Sequence, residues 1–382
     1  MKDKAIRIVL AMSVGISSFS LDAALSARSY IQEGLIGQYD GEFNQGHDVA
    51  HSETATTWKD LTGRGPAITR PSDAVFTAKS MQTTRLVGSP TGGPSGAQYS
   101  APALLSAFSN ASITVEVAFN KTIETPVSEI GYTKTLCKFF VLGDSGFWVG
   151  SSDDTHIGWN CNGSNGTDGS SGGNLLCAIT VDTTLGGHTL SCSQSGRDWT
   201  VRFDELAAKT GTNTPRTTPN QTRGFRFNRC WYEQTGLDGH YHSLRYYGRP
   251  LSADEALVNR AIDRVRFFGA DPLACELPDG WRFDMSDGIA LERLHSATSS
   301  DPVMGLVSVN GGTPGESCDL WVEQGVATEV TLKAIPAKGY KFKRWEGNVV
   351  SGNPKIAEGV FTVSGDVRAV FTENKGLMML LK

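Results

Sequence analysis

The chain has 382 residues, 40 acidic against 35 basic side chains for a formal charge of -5, 43 glycines and 20% charged residues. Its length exceeds one typical domain and allows a sizeable core. A slightly acidic chain without a basic block excludes nucleic acid as the main partner, because phosphates demand clustered lysine and arginine.

Lys2, Lys4 and Arg7 precede an apolar run from Ile8 to Ile16, and the small residues Ala23, Ala24, Ser26 and Ala27 follow. That order predicts a secretory signal peptide over 1–27, cut near Ala24 to Ala27. The run is shorter than the ~20 residues that span a bilayer, and no second span follows. The mature chain is therefore expected to be secreted or at the cell surface, with no membrane span. There its seven cysteines, Cys137, Cys161, Cys177, Cys192, Cys230, Cys275 and Cys318, predict disulfides with at least one thiol left over. Five are grouped in the first domain and Cys275 is paired with Cys318 in the second, although spacing alone leaves the connectivity open.

From Tyr30 to Ala270 the strand candidates are short and separated by turn-rich spacers. Ile113 to Phe119 alternates, and Leu136–Leu142, Phe147–Gly150, Leu175–Val181, Thr189–Cys192, Trp199–Phe203 and Gly224–Phe227 follow. Many strands with one late helix predict a β-sandwich. Asn160 to Asn174 has no apolar residue except Cys161 and reads as an exposed loop.

The stretch His240 to Gly269 reads as strand, turn and helix. Period two puts His242, Leu244 and Tyr246 on one face and Tyr241, Ser243 and Arg245 on the other. Gly248 and Pro250 end the strand. Ser252 with Glu255 three residues later forms a capping box that starts the helix at Ala253. Leu257, Ala261, Val265 and Phe268 make an apolar stripe, and Gly269 suits a left-handed stop.

The run from Ser243 through Ala256, with Asn259 and Asp263 to Phe268, resembles the closing strand and helix of laminin-G-like, concanavalin A-like domains of bacterial surface proteins. Gly34 to Gly41 and Thr56 to Gly63 are similar to the opening strand and turn of that family. The resemblance implies an all-β, two-sheet jelly-roll sandwich with one C-terminal helix over 28–270, and structural roles for Trp58 and Asp60. Such folds host lectins, adhesins and glycosidases alike.

Composition shifts at Asp271, and 271–304 reads as a polar linker. Residues 305–374 resemble the divergent bacterial repeat related to the internalin B-repeat, on Gly325–Leu332, Ala334–Gly347 and Val367–Phe371. That predicts a small β-rich domain, with Val330 and Leu332 alternating on a strand and Tyr340, Phe342 and Trp345 in its core. Lys375 to Lys382 reads as a tail.

Chemistry is sparse. A retaining glucanase on such a sandwich would carry Glu-x-Asp-x-x-Glu along one strand, with the carboxylates about 5 Å apart. No such run exists, and Glu116 stands alone in Ile-Thr-Val-Glu-Val-Ala. No serine-hydrolase elbow, His-Glu-x-x-His or phosphate loop appears, so no catalytic residue is assigned. His240 and His242 have a spacing that can hold a metal, but core histidines are the preferred reading without a third ligand.

Sugar binding needs an aromatic plate and hydrogen-bonding groups around it. Trp148, Asp153, Asp154, His156, Trp159, Asn160 and Trp231 are the candidates, although a buried structural role is the preferred reading for Trp148 and for Trp159. No cofactor is required; Ca²⁺ at Asp153 and Asp154 is the one conceivable ion, and solvated turn aspartates are the preferred reading. The expected function is non-catalytic binding of a glycan or other surface ligand. A glycoside hydrolase and a structural surface component with a protein partner are the alternatives. Nothing in the sequence sets an oligomeric state.

Overall fold

The computed structural model describes residues 25–71, 74–83, 103, 106, 107, 110–122, 137–142, 147–153, 156–160, 177–180, 186–212, 225–227, 239–286 and 288–374. The protein is mostly β, built from several antiparallel-rich sheets with the helix Ala253–Phe268 packed among them. Residues 1–24 of the expected signal peptide, most of the Gly-rich loop and the tail 375–382 lie outside the described residues. Leu25 and Ala27 are buried, and Gln38 Nε2 donates to the Ala27 carbonyl at 2.7 Å, so the packed chain begins ahead of the boundary at 27.

The largest sheet has eight strands. Its path runs 209–212, 198–203, 186–195, 112–121, 239–247, 80–83, 74–77, and 35–40 also pairs with 239–247. A five-stranded sheet follows the order 177–180, 156–160, 147–153, 137–142, 225–227. Ile113, Val115, Val117, Leu190, Val201, Leu244 and Tyr246 of the first sheet share one core with Ile157 and Phe227 of the second. Period-two alternation explains this, since every second residue of Ser112–Lys121 faces that core. Trp58 is fully buried there and donates Nε1–H to the Asp40 carbonyl at 2.8 Å, while Asp60 accepts from the amides of Gln38, Thr62, Arg64 and Gly65.

The closing strand, Gly239–Tyr247, departs from simple alternation. Its register against 112–121 slips between Tyr241 and Ser243, so His242 is an extra, bulged residue. Tyr241 therefore joins Leu244 and Tyr246 in the core, whereas His242 lies with Ser243, Arg245 and Tyr247 toward the helix. The faces expected for Tyr241 and His242 are exchanged, because one inserted residue inverts the pleat for everything on its far side.

The helix begins and ends as its signals require. Ser252 accepts from the Glu255 amide, Glu255 reaches back to the Ser252 amide, and Gly269 caps it at φ 68°. Its buried face differs from the apolar stripe expected. Val258, Ala261 and Ile262 pack with Tyr30, Ile31, Leu35, Tyr247 and Leu251, but Asn259, Asp263 and Arg266 are equally buried.

Residues 281–374 form a seven-stranded sheet in the order 281–284, 290–299, 358–373, 328–336, 305–309, with 317–323 on 290–299 and 340–351 on 358–373. The segment read as a linker, 271–304, thus supplies two strands of this sheet. Its core gathers Val330, Leu332, Trp345, Phe361, Val363 and Phe371, with Phe342 packed against it. Tyr340, expected in that core, is only half-buried. The expected Cys275–Cys318 disulfide is absent: both are free thiols, Cys275 packing beside the helix and Cys318 donating to the Val307 carbonyl at 3.2 Å. Phe283 and Leu291 reach into the helix-side cluster, joining this sheet to the first part of the chain.

Removing the capping hydroxyl with Ser252→Ala should lower stability by about 1 kcal/mol, read as a shifted midpoint at unchanged slope in urea unfolding. An unchanged midpoint would show that the cap contributes nothing here.

Candidate functional site

The candidate sugar-binding residues fall largely on one antiparallel pair of strands, Phe147–Asp153 and His156–Asn160. Trp148 is opposite Asn160, Trp159 is opposite Val149, and Asp153 is opposite His156, with a register shift between Ser151 and Asp153. Neighbouring register positions alternate in face, so Trp148 and Asn160 share one face of the pair while position 159 falls with Ile157 on the other, and an acid and a histidine oppose each other at the connecting end. Asp154 and Trp231 lie outside the described residues. Ile157, between these positions, is buried in the shared core, which anchors the pair to the larger sheet.

A second concentration of polar chemistry lies where the helix meets the large sheet. Glu116 and Arg245 are directly opposed on neighbouring strands, at positions that alternate away from the apolar core. Arg245 donates Nε–H to Glu116 at 3.1 Å and Nη2–H to Asp263 at 2.6 Å, with all three residues buried. Asn259 Nδ2 donates to Glu116 at 2.8 Å and to the Tyr247 hydroxyl at 2.9 Å. The Tyr30 hydroxyl donates to Asp263 at 2.7 Å, and Ser243 Oγ donates to it at 3.2 Å. One turn on, Arg266 clamps Asp40 at 2.7 Å and Glu42 at 2.8 Å. Helix spacing explains the reach: Asn259, Asp263 and Arg266 are four and three residues apart and so share one face.

Burial raises the Glu116 pKa against the pull of Arg245. Burial opposes charge on Arg245 too, but Asp263 and Glu116 outweigh it and raise its pKa well above the ordinary value. The Tyr30 hydroxyl is pushed well up by burial and by Asp263, so it stays a donor. Glu116 and Asp263 grip the same guanidinium. Both carboxylates are thus engaged as ion-pair partners of Arg245.

The histidine pair has structural neighbours. His240 Nδ1 meets Ser80 Oγ at 2.8 Å, and His242 Nδ1 donates to the Lys79 carbonyl at 3.0 Å. His242 stacks on Phe267 at 5.0 Å, and burial lowers its pKa to about 4. Among the described residues no group of three or more His, Cys, Asp or Glu is placed to hold a metal ion. No described helix is long and apolar enough to cross a membrane.

The helix–sheet residues Asp40, Glu116, Asn259, Asp263 and Arg266 were not among the sequence candidates. Glu116 offered a signal, as a lone acid inside an apolar alternating strand. Asn259, Asp263 and Arg266 offered another, as a polar stripe on an otherwise amphipathic helix.

Residues 307–375 match the divergent InlB B-repeat domain family. Among solved structures, a Trypanosoma rangeli sialidase in complex with 2,3-difluoro-KDN aligns over 62% of this chain and 34% of its own, at 13% identity and TM-score 0.40. The chain therefore spans about a third of that sialidase's length. Domain 4 of AbnA, a GH43 extracellular arabinanase from Geobacillus stearothermophilus, in complex with arabinotriose, aligns over 59% and 97%, at 13% identity and TM-score 0.38. The Ruminococcus gnavus IT-sialidase CBM40 bound to α2,3-sialyllactose aligns over 38% and 80%, at 10% identity and TM-score 0.29. Likenesses at this level carry no argument about ligand or activity. No curated protein matches the chain.

Two predictions follow from the helix–sheet contact. Asp263→Ala strands the buried Arg245 and should cost about 3–5 kcal/mol in urea unfolding; a loss below about 1 kcal/mol would contradict the clamp. His242 is held neutral in the fold, so the unfolded chain binds the extra proton between pH 6.5 and 4. Its contribution is complete above about pH 6.5 and declines by up to roughly 3 kcal/mol as pH falls toward 4. Over that window His242→Gln should show a shallower loss of stability than the unaltered protein, and parallel curves would remove His242 as the cause.

Proposed function

We propose that the protein is an exported, non-catalytic glycan-binding protein, its 28–270 part a laminin-G-like, concanavalin A-like jelly-roll and its C-terminal sheet a repeat-type interaction module. The observation that carries this is the strand register that sets Trp148 directly opposite Asn160, with Asp153 opposite His156 at the connecting end of the same hairpin. Stacking surface and hydroxyl partners within a few residues of one another are what a pyranose ring requires. The resemblance to surface-protein domains at both ends of the first part supports the same reading, as does the N-terminal order of basic, apolar and small residues. Against catalysis stands the fate of Glu116 and Asp263, whose shared guanidinium ties them into the helix contact.

A glycan-array screen of the mature protein, with and without Ca²⁺, tests this reading when paired with an assay for released reducing sugar. Saturable binding without turnover is expected, and Trp148→Ala should weaken it by at least about tenfold, or ~1.4 kcal/mol. Sugar release would make the protein an enzyme. Undiminished binding in Trp148→Ala would remove the hairpin from the site.

A further inference from the structure

A cavity of about 180 Å³ lies between the outer face of the large sheet and the N-terminal half of the helix. This exceeds the ~150 Å³ of an apolar cavity that admits benzene. Its floor is a row of directly opposed residues on four strands: Arg202 faces Ser191, Ser191 faces Glu116, and Glu116 faces Arg245. All four line the space. The helix covers the two halves of the row differently. Over Glu116 and Arg245 it presents Asn259 and Asp263, which complete their hydrogen bonds. Over the rest, the lining it contributes is Ala253, Ala256, Leu257 and Arg260, and the small side chains at 253 and 256 leave the space open.

The uncovered half of the row is incompletely satisfied. Ser191 Oγ and Arg202 Nη1 are buried without a hydrogen-bond partner, and Ser191 is only 8% exposed. Burial lowers the Arg202 pKa, with Glu116 opposing the shift. An orphaned buried donor of this kind is destabilising, and a bound partner would recover the lost hydrogen bond. Asp204 at the wall takes the left-handed conformation at φ 46°, unusual for a residue other than glycine. Its carboxylate is fixed by His188 Nδ1 at 2.8 Å and the Thr189 amide at 2.7 Å, and its carbonyl accepts from Arg260.

The wall's charges balance, with Arg202, Arg245 and Arg260 set against Glu116, Asp204 and Asp263. An anion would sit beside Glu116 and a cation beside Arg202, whereas a neutral ligand meets neither repulsion. Donors and acceptors alternate along the floor, and Leu206 and Leu257 supply apolar surface. We propose that this cavity is a binding site for one neutral sugar residue or a small polyol, whose hydroxyls engage Arg202, Ser191 and Glu116 while its carbon face rests on the leucines. The site shares no residue with the Trp148–Trp159 hairpin and does not depend on that hairpin binding anything.

Isothermal titration of the full chain with D-glucose, D-galactose, D-mannose, L-arabinose and myo-inositol tests it, with sodium acetate and phosphate as anionic probes. At least one neutral probe is expected to bind in the millimolar range and to raise the melting temperature. Ala256→Leu fills the cavity from the helix side, and Ala253→Phe narrows it from an exposed position that leaves the fold intact; each should weaken binding at least tenfold. Arg202→Met removes the orphaned donor, so it should lose binding while leaving the unliganded protein equally or more stable. Loss of binding in Ala253→Phe and Arg202→Met places it in the cavity, since neither position lies on the Trp148–Trp159 hairpin. The proposal is overturned if only acetate or phosphate binds, if no probe binds, or if Ala256→Leu and Ala253→Phe both bind as the unaltered protein does.

Discussion

Arg245 is the residue on which the first part of the molecule turns. It is 1% exposed, and its guanidinium reaches Glu116 on the neighbouring strand and Asp263 on the helix. Removing so many charges from water is unfavourable, and the pairing compensates only when the geometry is met. The consequence is positional. A helix rotated by one residue, or a strand slipped by one, would leave a buried ion alone, so this contact selects one docking of helix on sheet. Arg266 with Asp40 repeats the device one turn later and ties the opening strand to the same helix.

The bulge at His242 belongs to this arrangement. Without the extra residue, Tyr241 and Leu244 could not both enter the core, where Tyr241 packs against Phe227 at 4.6 Å. With it, His242, Ser243 and Arg245 all turn toward the helix. His242 then fills the gap beside Phe267 and Phe268 as a neutral ring. The bulge therefore serves the core on one side and the ionic contact on the other.

The helix also holds the two parts of the chain together. Its apolar residues Val258, Ala261 and Ile262 share a cluster with Phe283 and Leu291 from the C-terminal sheet, and Gln324 Nε2 donates to the Tyr30 carbonyl at 3.4 Å. The strands 281–284 and 290–299 extend the sheet ahead of the segment that matches the repeat family, and they carry this contact. A short hydrophobic strand flanked by polar residues looks like a linker in sequence, because its neighbours in the sheet are distant along the chain.

What the sequence determined by itself was local. The capping box at Ser252 and Glu255, the stop at Gly269 and the alternating strand around Val115 and Val117 all depend on residues within a few positions, so their signals are contiguous. The candidate hairpin was half legible, since Trp148 and Trp159 are near in sequence while their register is set by strand pairing. What only the tertiary structure decided was long-range: the partnership of Glu116, Arg245 and Asp263, the bulge that exchanges Tyr241 with His242, the separation of Cys275 from Cys318, and the open half of the polar row under the helix. Each depends on which distant surface buries a residue, and burial sets whether a charge must find a partner. That information is distributed over the whole chain, and no local spacing contains it.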